Sequence, residues 1–224
     1  MIYKNVRAGV FLSRPNRFIA NVEIDGRVEV CHVKNTGRCK ELLVPGVRVY
    51  VCKSDNPNRK TAYDLISVYK GDKLFNIDSS APNKVFYELV CGSEEVTFIK
   101  PECVFKNSRF DFYLETKDKK IFVEVKGVTL EKEGVMTFPD APTLRGVKHI
   151  NELISCVEAG YEGVIAFIVQ TDFGKYFTPN RDTHPEFADA LKKAAEKGVK
   201  ILCFTCDVTM DKLCVKDKLE INLL

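Results

Sequence analysis

Apolar and polar positions alternate in short runs through the first third of the chain. Ala8 to Leu12, Phe18 to Ile24, Val28 to Val33, Val47 to Val51 and Tyr63 to Tyr69 each read as a strand with one buried face. Gly26, Gly37, Pro45-Gly46 and Asn56-Pro57-Asn58 punctuate them. Five short strands over residues 1–80 predict a small antiparallel barrel of the OB type. From Pro82 the period changes. Asn83 to Cys91 reads as a helix stopped by Gly92, and Val96 to Phe105, Arg109 to Leu114 and Ile121 to Lys126 read as strands. Gly127 to Pro142 reads as a long loop. Leu144, Val147, Ile150, Ile154 and Val157 then recur at helical spacing up to Gly160. A buried strand from Val164 to Gln170, a helix from Pro185 to Lys197 and a strand from Val199 to Val208 follow. This order predicts an α/β domain with a central mixed sheet over residues 81–224, and an α+β or α/β chain as a whole.

Two of these strands carry charges among apolar residues. Arg109-Phe110-Asp111-Phe112-Tyr113-Leu114 and Ile121-Phe122-Val123-Glu124-Val125-Lys126 flank the polar run Thr116 to Lys120, so an antiparallel hairpin is the simplest reading. Alternation places Glu124 and Lys126 on one face, Val123 and Val125 on the other, and Asp111 opposite in direction to both Phe110 and Phe112. With a turn from Thr116 to Lys119, Asp111 lies across from Glu124, with Cβ atoms about 5 Å apart. Facing carboxylates repel, and a divalent cation between them removes the conflict. Mg²⁺ or Mn²⁺ takes one or two carboxylates with water and phosphate, and lowers the pKa of its water. A neighbouring lysine offsets charge developing on the phosphate. Asp111 followed by Glu124-Val125-Lys126 resembles the pattern of the PD-(D/E)XK nuclease-like superfamily. The three residues alone also suit a solvated edge hairpin; the order of elements around them is the core order known for that superfamily and favours the nuclease-like reading. Pro139-Asp140 follows Glu-x-Lys instead of preceding it, which leaves Asp140 as an extra loop acid.

Charge alters the picture of the barrel. The chain carries a net +3, but residues 1–80 hold fourteen Lys and Arg against eight Asp and Glu, a net +6 that leaves −3 for the remainder. That asymmetry points to a polyanion for the first part. Arg14 and Arg17, Arg38 and Lys40, and Arg59 and Lys60 cluster in the expected loops, where they form either a groove for a phosphate backbone or an ordinary solvated surface. No apolar run approaches the roughly 20 residues of a membrane span, and the start lacks a secretory pattern, so a cytoplasmic protein without a membrane partner is expected. Nine cysteines fit reduced thiols better than a disulfide framework. Cys203 and Cys206 form a single C-x-x-C inside a strand, where residues three apart face opposite sides, which argues against zinc.

The chain as a whole resembles the sugar fermentation stimulation proteins. The likeness rests on His32 with Asn35-Thr36-Gly37-Arg38, Asn56-Pro57 with Arg59-Lys60, Ser108 to Phe112, and Val123-Glu124-Val125-Lys126-Gly127-Val128-Thr129-Leu130. Phe138-Pro139-Asp140-Ala141, Arg145-Gly146 and Lys148-His149 continue it. Val33-Lys34 and Ala62-Tyr63-Asp64 depart from the family's usual Cys-Pro and Thr-Trp-Glu segments, both in the barrel. The resemblance implies an OB-type domain joined to a nuclease-like domain, DNA as partner, and a link to the regulation of sugar metabolism. Within this frame Asp111 and Glu124 are the expected ligands of Mg²⁺ or Mn²⁺, Lys126 the electrostatic catalyst, and Glu88 an additional acid on the first helix. Arg145, Lys148 and His149 either hold the phosphate or form a salt-bridged helix face with Glu152, and Gln170 lies near the site. Arg14, Arg17, His32, Arg38, Arg59 and Lys60 are the expected nucleic-acid contacts on the barrel. Two functions follow: metal-dependent phosphodiester hydrolysis on DNA, or a DNA-binding regulator that keeps the nuclease fold as a scaffold. An enzyme acting on a small phosphorylated ligand is a third class. A homodimer is compatible with the sequence but not required by it.

Overall fold

The computed structural model describes residues 1–35 and 37–223, so Thr36 of the motif at Asn35 lies outside the described residues. The first five strands are β1 (Val6–Asn16), β2 (Ile19–Ile24), β3 (Arg27–Val33), β4 (Arg48–Lys53) and β5 (Tyr63–Lys70). They pair in the order β3-β2-β1-β4-β5, and a parallel β3–β5 pairing closes the sheet into the five-stranded OB barrel expected from the alternation. Ala20, Val22 and Ile24 of β2, with Val49 and Val51 of β4, point inward and are buried. A short β6 (Lys73–Asn76) folds back on β5 and leads the chain out of the barrel.

The remaining elements are α1 (Ala81–Cys91), β7 (Val96–Phe105), β8 (Ser108–Thr116), β9 (Lys120–Val128), β10 (Leu130–Lys132), β11 (Val135–Phe138), α2 (Leu144–Glu158), β12 (Glu162–Val169), β13 (Tyr176–Pro179), α3 (Pro185–Glu196), β14 (Lys200–Val208) and β15 (Leu213–Lys218). Six strands form the central sheet in the order β15-β14-β12-β9-β8-β7. β9, β12 and β14 run parallel, and the flanking pairs are antiparallel, which makes the mixed sheet predicted from the order of elements. α2 starts at Thr143, whose side chain accepts from Gly146 N in an ordinary N-cap.

Two expectations need correction. The segment Gly127 to Pro142 is not one long loop: β10 and β11 form a hairpin whose Glu133 and Gly134 both have positive φ, as a two-residue turn of the primed type requires. β11 then pairs in parallel with β13 in a separate small sheet. The chain also adds β15 beyond the strand that was expected to be the last.

The two faces of the central sheet lie in different cores. α1 covers one, with Phe86, Phe112, Val123, Val125 and Cys206. α2 and α3 cover the other, with Phe122, Ile150, Phe167, Phe187 and Cys203, and this core continues without a break into the barrel interior. Cys203 and Cys206 thus face opposite sides. Polar ties reinforce the seam between barrel and sheet. Gln170 Nε2 donates to Asn76 Oδ1 at 2.8 Å and to Asp78 O at 3.1 Å, and Lys70 Nζ donates to Glu131 O at 2.9 Å. At the start of the chain, Tyr3 N donates to Asp211 O at 2.7 Å, so residues just before the barrel attach to the second part.

Candidate active site

The β8–β9 ladder has the register inferred from the turn. Phe112 pairs with Val123, Tyr113 with Phe122, Leu114 with Ile121 and Glu115 with Lys120. The ladder ends at Phe112, one residue short of Asp111. There the strict alternation fails, because Phe110 lies in the core beneath α2 and Phe112 in the core beneath α1. Asp111 uses its carboxylate where the neighbouring strand would have offered a backbone carbonyl: Oδ2 accepts from Val125 N at 2.8 Å, and Oδ1 accepts from Asn83 Nδ2 at 2.7 Å. Burial, with Glu124 close by, raises the Asp111 pKa.

Glu124 points to the α2 face and is buried. Its Oε1 accepts from Lys126 Nζ and contacts His149 Nδ1 at 2.6 Å. Arg145 Nε donates to His149 Nε2 at 3.4 Å, so the histidine carries its proton on Nδ1 and donates it to Glu124. Burial pushes the Glu124 carboxyl up, but the His149 hydrogen bond and the Lys126 ammonium outweigh it and hold the pKa below the usual range. The other oxygen, Oε2, is buried and has no hydrogen-bond partner.

Several expected contacts are placed elsewhere. Glu88 is not beside Asp111; it is half exposed and bound to the Met1 ammonium at 2.5 Å, and the residue that α1 does bring to Asp111 is Asn83. Positions five apart on a helix point to different sides, so one helix could not place both there. Arg14 cannot grip a phosphate. Its guanidinium donates to the carbonyls of Gly37, Arg38, Arg17 and Asn35, at 2.7 to 3.0 Å, and serves as the scaffold of that loop. Arg59 binds Asp64 through both terminal nitrogens, at 3.1 and 2.5 Å, and His32 faces the same carboxylate at 3.3 Å. Lys34 completes this cluster between Asp64 and Asp78. The expected Lys148–Glu152 pair does not form, since Lys148 Nζ donates to Asn107 O at 2.9 Å. Arg17, Arg38, Lys60 and Arg145 remain exposed. Asn83 had one sequence signal, a polar residue directly after the proline that opens the helix. His149 as the partner of Glu124 had none beyond its place on an apolar-backed helix.

The half-buried Asp111 and the buried Glu124 give two carboxylates with one unpartnered oxygen, a donor set that suits a hard divalent cation. Among the described residues no group of three or more His, Cys, Asp or Glu side chains converges as a closed zinc site would require.

Comparison with known proteins agrees with both halves of the fold. Residues 12–77 match the model of the SfsA N-terminal OB domain, and residues 80–212 match that of the sugar fermentation stimulation protein RE domain. The sugar fermentation stimulation protein homolog of Desulfitobacterium hafniense is 58% identical over 226 residues, covering 100% of this chain and 99% of the relative. That of Clostridium beijerinckii is 54% identical and covers 100% of both. The solved structure of Pyrococcus furiosus SfsA in complex with Ca²⁺ is 30% identical, with a TM-score of 0.88 over 99% of this chain and 98% of that one. With the barrel, the mixed sheet and these full-length matches in agreement, the chain belongs to the sugar fermentation stimulation protein family.

Proposed function

We propose that the protein is a divalent-metal-dependent phosphodiesterase acting on DNA. The observation that carries this reading is the bare, buried Oε2 of Glu124 with the half-buried carboxylate of Asp111 close by. Asp111 and Glu124 Oε2 would hold Mg²⁺ or Mn²⁺, and the Ca²⁺ bound by the relative from Pyrococcus furiosus supports an ion of this class. When bound, the cation supplies a more acidic attacking water and neutralises charge on the phosphate. Asn83 and the Val125 amide orient Asp111, and His149 holds Glu124 Oε1 and leaves Oε2 free. The Lys126 ammonium, paired with Glu124 at rest, lies where it can turn to a phosphate oxygen and oppose the charge that grows there during cleavage.

The test is cleavage of plasmid and oligonucleotide DNA with Mg²⁺, Mn²⁺ or chelator, together with calorimetric titration of Ca²⁺. Wild type should cut only with metal. Asp111→Asn and Lys126→Ala should each cut at least about 100-fold more slowly. Asp111→Asn should also lose the calorimetric Ca²⁺ signal while still binding DNA. Absence of cleavage over a broad panel, with DNA binding intact, would replace the enzyme by a regulator built on the same fold.

A further inference from the structure

We infer that the seam between the barrel and the central sheet receives a single-stranded stretch of the substrate and seats one unpaired base in the cavity beside Gly127. This rests on the nuclease reading of the Asp111–Glu124 site and names the form of nucleic acid that site takes. The cavity holds about 180 Å³ and is bounded by Ser79, Gly127, Thr137, Phe138, Asp140 and Gln170. That is well below the roughly 300–1,000 Å³ of a pocket enclosing a drug-sized ligand, and a duplex, whose major groove alone is about 12 Å wide, cannot enter it. No Lys or Arg lines it among the described residues, and Asp140 contributes a carboxylate, so a phosphate is disfavoured. Hydroxyl, amide and carboxylate groups around a half-buried phenylalanine match instead the hydrogen-bonding edge and the flat face of a base.

Cations lie on one side. Toward the barrel, a cleft of about 520 Å³ lined by Arg17, Arg38 and Lys40 shares Gly37 with the cavity and continues past Ala141, the neighbour of Asp140. Gly127 lies on β9 one residue beyond Lys126, with its Cβ direction toward Pro82 and Gln170. A cationic cleft joined to an uncharged to acidic chamber fits a strand whose phosphates stay outside while a base turns inward. The walls are set in advance. Arg14 binds the carbonyls of Asn35 and Gly37, Arg38 N donates to Asp140 Oδ2 at 3.0 Å, and Gln170 is fixed by Asn76 and Asp78. Gly127 is part of this fit, since a Cβ there would lie 2.6 Å from Gln170 Oε1.

The experiment measures binding in Ca²⁺, by fluorescence anisotropy of a labelled oligonucleotide offered as single strand, blunt duplex and tailed duplex, and repeats it with 2-aminopurine stepped along the single strand. The single strand and the tailed duplex should bind about tenfold more tightly than the blunt duplex. One 2-aminopurine position should change in fluorescence on binding. Ser79→Trp, which plugs the exposed mouth of the cavity, should abolish both effects and leave blunt-duplex binding unchanged. Asp140→Asn, which keeps the acceptor for Arg38 N, should alter the 2-aminopurine signal without Ser79→Trp's bulk. Equal affinity for all three forms, or signals indifferent to both variants, would overturn the inference even if the protein cleaves DNA. Conversely, loss of cleavage in every metal with the single-strand preference still sensitive to Ser79→Trp would retire the nuclease reading and leave the base chamber standing.

Discussion

Glu124 has two oxygens in unlike surroundings, and the difference is set by His149. With Oε1 taken by His149 and Lys126, only Oε2 is left for a cation. His149→Ala frees the carboxylate to rotate, so it should weaken Ca²⁺ binding and slow cleavage by about 10–100-fold. His149→Gln, whose amide can donate to the same oxygen, should recover part of the loss; calorimetry and cleavage rates on the same preparations check both. A second cluster bears on stability instead of chemistry. Burial acts to raise the Asp64 pKa, but the hydrogen bond from Arg59 and the charge of Lys34 prevail, and the net shift is downward. A depressed carboxylate contributes stability that is present above its unfolded value, near 3.8, and is lost as pH falls through its lower folded value. Wild type should therefore lose stability below about pH 4. Asp64→Asn should be about 2 kcal/mol less stable at neutral pH, less than for a fully buried pair because Arg59 and Lys34 are partly solvated, and should show a shallower acid limb in thermal melts.

Among the elements, β9 carries the most function in the least space, and its last turn toward the barrel tolerates no side chain. A methyl group at Gly127 would meet Gln170 Oε1 at 2.6 Å and Pro82 Cγ at 2.8 Å. Gly127→Ala should thus shift Lys126 and the start of α1 together, with a fall in melting temperature and loss of cleavage, while Gly71→Ala at an open hairpin should cost only its φ strain. The long elements were legible in the sequence because alternation persists along β2 and β4, β5 is a compact run of largely apolar residues, and a helical period runs over Leu144 to Val157. β10 and β11 were not, since three or four residues cannot show a period and Glu133-Gly134 is a weaker turn signal than Asn-Gly. The hairpin's register was legible from its turn, but the rotation at Asp111 was not, because it depends on a side chain replacing a backbone acceptor. Arg14 misled for a related reason. Its partners are carbonyls, which every residue possesses, so nothing in the spelling of the loop marks it as an anchor.

At the scale of the molecule, the barrel and the sheet share one continuous core, and the seam between them contains both the amide of Gln170 and the proposed base chamber. The chain should accordingly unfold as a single cooperative unit. Gln170→Ala would remove one of two donors from Asn76 Oδ1 and from Asp78 O, which keep Asp78 N and Ala81 N, at a cost of about 0.5–1.5 kcal/mol per lost hydrogen bond, and the urea transition should move to lower midpoint without splitting when followed by both near- and far-ultraviolet circular dichroism. Domain organisation was readable as two successive patterns of periodicity; their fusion was not, because the contacts that weld them join residues some ninety positions apart. The strand that carries Cys203 and Cys206 offers a way to time events on the two sides of that unit. Burial pushes both thiols up to about 12, so neither is a nucleophile until its own side opens. Alkylation followed peptide by peptide would make the pair a twin stopwatch, one hand for the α1 side and one for the side that merges with the barrel. Equal rates would mean that the protein opens as one body, and a faster Cys206 that the α1 side yields first.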